Sequence, residues 1–266
     1  MIKAVIFDWA GTTVDYGSVA PVIAFQKAFT NAGINISADL IRRDMGMVKW
    51  DHIGKLLEMP EIQLQWLSLH EVLPTGTDRQ KIYDDFEQCL MLQLREETNL
   101  KPFVLETIAY LKNHGIKIAT TTGYAPEMMR VVQIGAAQKG YAPELVLTAE
   151  DVAGQGRPSP AMVQKVMANF GIEDPKEVIK VGDTTVDIEE GRNAGVVTVG
   201  IVEGSSLMGL SEREYDALSF EKKVKKCIAV KQEFEAVGAD FTITDMHELT
   251  QVIEGLNKEF EVANGR

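Results

Sequence analysis

A chain of 266 residues, 45% hydrophobic and 25% charged, is long enough to bury a substantial core as one large domain or two modest ones. Its formal net charge of -12 excludes partners held by clustered Lys and Arg, such as nucleic acid and anionic membrane surfaces. Two cysteines, Cys89 and Cys227, fit neither a zinc spacing nor a disulfide framework, and no run approaches about 18 apolar residues, so a reduced, cytoplasmic protein outside the membrane is expected.

The first apolar run, "KAVIF" at 3–7, reads as a strand that delivers Asp8 to a turn. The texture then changes. From 15 to 98 the apolar positions recur at helical spacing, in "APVIAFQKAFTNAG" (20–33), "IRRDMGMVKWDHIGKLLE" (41–58), "EIQLQWLSLHEVL" (61–73) and "RQKIYDDFEQCLMLQLREE" (79–97), with Gly33, Pro60 and Pro74 as stops. Beyond about residue 100, β-branched runs alternate with helical patterns: "IKIATTTG" (116–123), "ELVLTAE" (144–150), "EVIKVGD" (177–183), "VVTVGIV" (196–202) and "ADFTIT" (239–244). Strands separated by helices of ten or more residues imply right-handed crossovers and a parallel sheet covered on both faces. The expected architecture is a doubly wound, Rossmann-like α/β core made of residues 1–14 and 99–266, with a helical insertion of residues 15–98 after the first strand. The basic cluster "EKKVKK" at 221–226 reads as a solvated helix face, and the tail "EVANGR" as frayed.

Ligands of an open parallel sheet bind beyond the carboxyl ends of its strands. Three strand ends carry suitable groups: Asp8, Thr122 with Gly123, and Asp183. Toward a phosphoryl compound, Asp8 could attack phosphorus and form an acyl phosphate. Two anions repel, so a cation is needed, and Asp8 with Asp183 would form a hard-oxygen Mg²⁺ site. Thr122 and Gly123 offer a hydroxyl and unobstructed N–H donors to phosphate oxygens, and Arg157, in "GQGRPSPAM", a planar cationic clamp. Asp187, one helical turn after Asp183, could support the metal or orient its loop.

"FDWAGT", "TTTG", "GRP" and "VGDTTVD" resemble the four ordered motifs of the haloacid dehalogenase superfamily, over residues 1–14 and about 100–250. The helical insertion is similar to that superfamily's cap. Two positions depart from the resemblance. Arg157 stands where most members have lysine, and Ala10 where phosphatases and mutases have an aspartate acid/base.

Ala10 bears on the bond broken. A leaving alkoxide benefits from protonation, so an ester hydrolase without that acid would lose about 10²- to 10⁴-fold in rate. A phosphorus–carbon bond has no leaving oxygen to protonate; its difficulty is a departing carbanion. A lysine that condenses with an aldehyde beta to phosphorus gives an iminium ion, from which the carbon leaves as a neutral enamine. In "MGMVKWDHIGKLL", Met45, Lys49 and His52 are spaced i, i+4, i+7 and would share a face on one helix. A nucleophilic Lys49 must be neutral, which calls for burial or a nearby cation, and His52 could shuttle protons.

"FDWAGTTVDYG", "MGMVKWDH" and "TTTGY" together resemble the phosphonatase (phosphonoacetaldehyde hydrolase) family along nearly the whole chain. That resemblance implies Asp8 as nucleophile, Lys49 as Schiff-base lysine, one Mg²⁺ held by Asp8, the backbone oxygen of Ala10 and Asp183, Met45, His52 and Tyr124 near a small phosphonate substrate, and a homodimer. The group that activates water for the aspartyl phosphate stays open among His52, Asp187 and the product amine. A phosphomonoesterase or sugar-phosphate mutase, and a catalytically dead binding module, are the rival expectations. Phe25, Phe29, Trp50 and Trp66 fit either a dimer surface or the cap's own core.

Overall fold

A computed structural model describes residues 1–263. The first strand, β1 (Ala4–Phe7), is followed by five helices: α1 (Val19–Asn31), α2 (Ala38–Arg42), α3 (Lys49–Glu58), α4 (Pro60–His70) and α5 (Gly76–Glu97). The chain then continues through α6 (Val104–Asn113), β2 (Lys117–Thr121), α7 (Pro126–Gln138), β3 (Leu145–Leu147), α8 (Ala161–Phe170) and β4 (Val178–Gly182). It closes with α9 (Thr185–Ala194), β5 (Val197–Ile201), α10 (Glu212–Asp216), α11 (Phe220–Ala236), β6 (Phe241–Ile243) and α12 (Leu249–Ala263). The expected fraying of the tail falls partly on residues 264–266, which lie outside the described residues.

All six strands pair in parallel, in the order β3-β2-β1-β4-β5-β6. The chain leaves β1 toward β2 and β3, then returns to lay β4 on the other side of β1, so the crevice between β1 and β4 is the switch point of the sheet. Residues of β1 alternate between two apolar layers. Val5 and Phe7 join α6, α7 and α12 on one face, whereas Ala4 and Ile6 meet α8 on the other. Each strand is shorter than its apolar run, because the last residues leave the sheet as turns. Those turns hold Thr122 and Asp183.

In the inserted segment α1 packs along α5, and α5 also packs on α7, so one apolar cluster runs from the sheet into the insertion. Thr75 opens α5 with a capping box to Asp78. The helix expected over 41–58 is two: α2 ends at Arg42, and a turn through Gly46, at φ 94°, precedes α3. Met45 therefore does not share a helix with Lys49 and His52.

Phe25, Phe29 and Trp66 are buried within their own chain, and Trp50 lies against Arg79, 4.2 Å from its guanidinium carbon. Phe25, Phe29 and Trp66 thus fill the insertion's core while Trp50 is half-buried, and the large apolar side chains left exposed there, among the described residues, are Ile23, Leu64, Leu67, Leu69, Val72, Leu73 and Leu92. The basic cluster of α11 is mostly exposed, as expected. Phe29→Ala should lower the unfolding free energy by about 3–5 kcal/mol in urea denaturation, the cost of a buried aromatic cavity.

Candidate active site

The turn after β1 is held by its own backbone. The Trp9 carbonyl accepts from the N–H groups of Thr12, Thr13 and Val14, and Trp9 Nε1 donates to Thr120 Oγ1 at 2.8 Å. Asp8 N–H continues the ladder to the Val181 carbonyl, and the Thr13 hydroxyl donates to the Asp8 carbonyl. Asp8 is thereby aimed into the crevice beside β4. At the end of β4 lies Asp183, fully buried, whose Oδ2 accepts the Ser206 N–H at 2.7 Å and whose Oδ1 accepts from the Thr12 hydroxyl at 3.3 Å. Thr184 caps α9 in a capping box with Asp187.

Arg157 reaches into this crevice from the loop before α8. Its guanidinium meets Asp8 Oδ1 at 2.8 Å, Asp187 Oδ1 at 2.8 Å and Glu190 Oε2 at 3.1 Å, and also donates to the Thr121 carbonyl. Lys180, buried in the middle of β4, lies 2.9 Å from Asp187 Oδ1 and 3.3 Å from Glu190 Oε2. Neither Lys180 nor Glu190 is among the residues the motifs single out. The signals were a lysine inside the apolar run "VIKVG" and a glutamate one helical turn beyond Asp187. Arg157 thus faces carboxylates as well as the cavity, and Asp187 both caps its helix and pairs with two cations.

Charge in this water-poor space is unevenly matched. Burial pushes the Asp8 carboxyl up, against the pull of Arg157. Burial, and then repulsion from Asp8 and Asp187, push Asp183 well above the usual carboxylate range. Burial acts upward on Asp187 too, but Arg157 and Lys180 outweigh it and hold that carboxyl at about 2. Asp183 has no ion-pair partner among the described residues, while carboxylate oxygens of Asp8, Asp183 and Asp187 lie within 4.8 Å of one another. Three hard oxygens with surplus negative charge fit a divalent cation.

Lys49 approaches from the first turn of α3. It is 4% exposed, with Nζ 3.6 Å from Met45 Sδ and over the rings of Tyr124 at 5.5 Å and Phe25 at 5.9 Å. Burial, opposed by Asp8 and reinforced by Arg157, lowers its pKa from 10.5 to about 8. Asp8, Ala10, Met45, Lys49, Thr122, Gly123, Tyr124, Arg157 and Asp183 line one cavity, together with Ser18, Pro21, Gly46 and Thr184. The Thr122 hydroxyl also accepts the Tyr124 N–H at 3.1 Å. Asp187 and His52 do not line it. His52 is fully buried against Phe25, with ring centres 4.5 Å apart, and burial followed by the nearby Lys49 charge hold it neutral. From that position His52 packs α3 against α1 rather than facing the cavity.

The segment 45–48 is seated on the strand-end loops by close backbone approach. A Cβ on Gly46 would lie 2.5 Å from Thr184 Oγ1, and one on Gly123 would lie 2.4 Å from the Met47 carbonyl. The cavity so enclosed is about 20 Å³, room for about one water.

Three comparisons bear on this site. The profile of the haloacid dehalogenase-like hydrolases matches residues 2–195. The chain is 45% identical to a phosphonoacetaldehyde hydrolase of Lactiplantibacillus plantarum, over 97% of each chain, and 46% identical to that of Latilactobacillus sakei, over 95% of each. Among solved structures it is similar to a phosphonoacetaldehyde hydrolase-like protein from Oleispira antarctica, with a TM-score of 0.94 and 34% identity, covering 100% of this chain and 95% of that one.

Gly123→Ala should push the segment at Met47 away from the strand ends. Turnover is expected to fall by about 10²-fold with a nearly unchanged melting temperature, measured by steady-state kinetics beside thermal unfolding.

Proposed function

The chain belongs to the phosphonoacetaldehyde hydrolase family of the haloacid dehalogenase-like hydrolases, and we propose that it cleaves the carbon–phosphorus bond of phosphonoacetaldehyde, giving acetaldehyde and phosphate. The observation that carries this reading is the meeting in one cavity of a buried, low-pKa lysine with a strand-end aspartate whose neighbour at position 10 is alanine.

Lys49, as a neutral amine, adds to the aldehyde and loses water to form an imine. Its protonated form withdraws the electron pair of the carbon–phosphorus bond as the Asp8 carboxylate attacks phosphorus. The enamine leaves without a proton from the protein, so position 10 needs no acid. Water then cleaves the aspartyl phosphate; the enamine takes a proton from water on the carbon that left phosphorus and becomes an imine, whose hydrolysis releases acetaldehyde and returns Lys49. Arg157, 2.8 Å from Asp8 Oδ1, orients the nucleophile and presents its charge to the phosphonate, which Thr122 and Gly123 meet from the β2 end. Asp187 acts through Arg157 and Lys180. Asp8, Asp183 and the Ala10 carbonyl would hold one Mg²⁺, which would neutralise charge between nucleophile and substrate.

Because segment 45–48 is seated closely on the strand-end loops over the cavity, residues 15–98 act as a cap that opens to admit substrate. The reading extends to a cytoplasmic homodimer, its surface the exposed leucines and valine of α4 and the segment after it. No helix among the described residues is long and apolar enough to cross a membrane. A phosphomonoesterase or mutase would need a substitute for the acid absent at position 10, and the intact Asp8, Lys49 and Asp183 set speaks against an inert binding module.

Two experiments test the chemistry. Asp8→Asn should abolish phosphate release yet still give a borohydride-reduced adduct on Lys49 by mass spectrometry. Lys49→Arg should give no adduct and lose about 10⁴-fold in kcat/KM; unchanged activity in that variant would exclude the imine.

The pH dependence has a fixed sign. The amine is the reactive form, and at pH 7.5 a pKa of about 8 leaves about a quarter of Lys49 neutral, against about one part in a thousand for an ordinary lysine. Initial trapping rates should rise as pH passes through about 8 and then level off. A rise continuing past pH 10 would contradict the lowered pKa.

A further inference from the structure

Lys101 takes no part in the chemistry above, yet it is 5% exposed. It lies where the chain returns from the inserted helices to the sheet. Its own N–H donates to the Thr13 carbonyl at 2.9 Å, and the neighbouring Asn99 carbonyl accepts the Asp15 N–H at 3.0 Å. The two connections between insertion and core are thus bonded to each other. The Lys101 ammonium continues inward, 5.6 Å from the centre of the Tyr16 ring, and donates to the carbonyls of Gly11 and Glu203, the latter at 2.6 Å.

Those carbonyls belong to different loops on either side of Asp183. Gly11 closes the turn that carries Asp8 and Ala10; its φ is 83°, and a Cβ there would lie 2.1 Å from Asp183 Oδ2. Glu203 begins the loop after β5, and that loop's Ser206 N–H is bonded to the same Oδ2 at 2.7 Å. One ammonium therefore clasps the two backbone walls between which Asp183 sits.

We propose that Lys101 is a positioning residue for the metal-ligand set: it holds the turn of residues 8–11 against the loop of residues 203–206, so that the Asp8 and Asp183 carboxylates and the Ala10 carbonyl converge on one point. The proposal rests on the proposed function only in taking a divalent cation to be what they converge on. Lys101 does not line the catalytic cavity. Lysine suits the task because a compact ammonium can bond two carbonyls from one atom and place a positive charge near Asp183. An apolar substitute leaves two buried carbonyls without these donors and the loops without a tie.

The test uses Lys101→Met and Lys101→Gln in the full chain, freed of metal. Mn²⁺ affinity is measured by calorimetry, imine trapping at Lys49 by borohydride, and folding by thermal unfolding. Lys101→Met should weaken Mn²⁺ binding by about 10- to 100-fold, the usual effect of losing a group that orients metal ligands, while metal-free trapping stays within about twofold of wild type. Lys101→Gln, which keeps one amide donor, should fall between and serves as the test if Lys101→Met does not fold. Wild-type Mn²⁺ affinity in a folded variant would overturn the proposal, as would parallel loss of metal binding and trapping, the mark of a general packing role. Failure of the imine reading is separately visible, because wild type itself would then show no adduct whatever its Mn²⁺ affinity. A wild type that binds no Mn²⁺ would overturn the metal reading and this proposal together.

Discussion

One guanidinium, inside a space nearly closed to water, faces three carboxylates from two elements. Arg157 meets Asp8 from the end of β1, and Asp187 and Glu190 from α9, with Lys180 of β4 completing the cluster from beneath. Taking such charges out of water costs several kcal/mol per ion, and the cost is offset only while every partner keeps its place. Removing one partner exposes the rest to that cost, on the order of 3–5 kcal/mol for a broken buried pair. The arrangement therefore brings little net stability. What it provides is a fixed direction for the Asp8 carboxylate, and the ends of β1 and β4 held in register around it.

The same closed space sets the state of Lys49. Burial lowers the pKa of a lysine and raises that of a carboxylate, and here both occur within one cavity. Attraction to Asp8 opposes the neutral amine, whereas Arg157 favours it. Arg157 is thus tied to both Asp8 and Lys49, directing the one and helping keep the other uncharged. Ala10 belongs to the same logic, since a second carboxylate at that position would add negative charge beside Lys49 and work against its neutral form.

Much of this was legible in the sequence. The six strands were visible because buried parallel strands are continuous β-branched runs, and Asp8, Thr122 and Asp183 stood out because each ends such a run. The break between α2 and α3 was not visible, because the apolar spacing across "RDMGMVKW" fits an unbroken helix and the turn at Gly46 is fixed by contact with Thr184, far away in sequence. Met45 nevertheless reaches Lys49, across the turn rather than along a helix. Lys180 and Glu190 were missed for a related reason: a charged residue reads as solvent-facing until the partners that bury it are known, and theirs come from other elements. Aromatic richness suggested either a surface or a core, and only packing against α5 and α3 decided for the core.

Asp187 has a consequence for how the site is assembled and lost. The carboxylate that pairs with Arg157 and Lys180 also completes the capping box that starts α9. Helix initiation there and gathering of the charges around Asp8 share one side chain, so the first turn of α9 cannot unwind while the cluster persists. The buried charges around Asp8 and that turn are therefore expected to open together, as one cooperative unit.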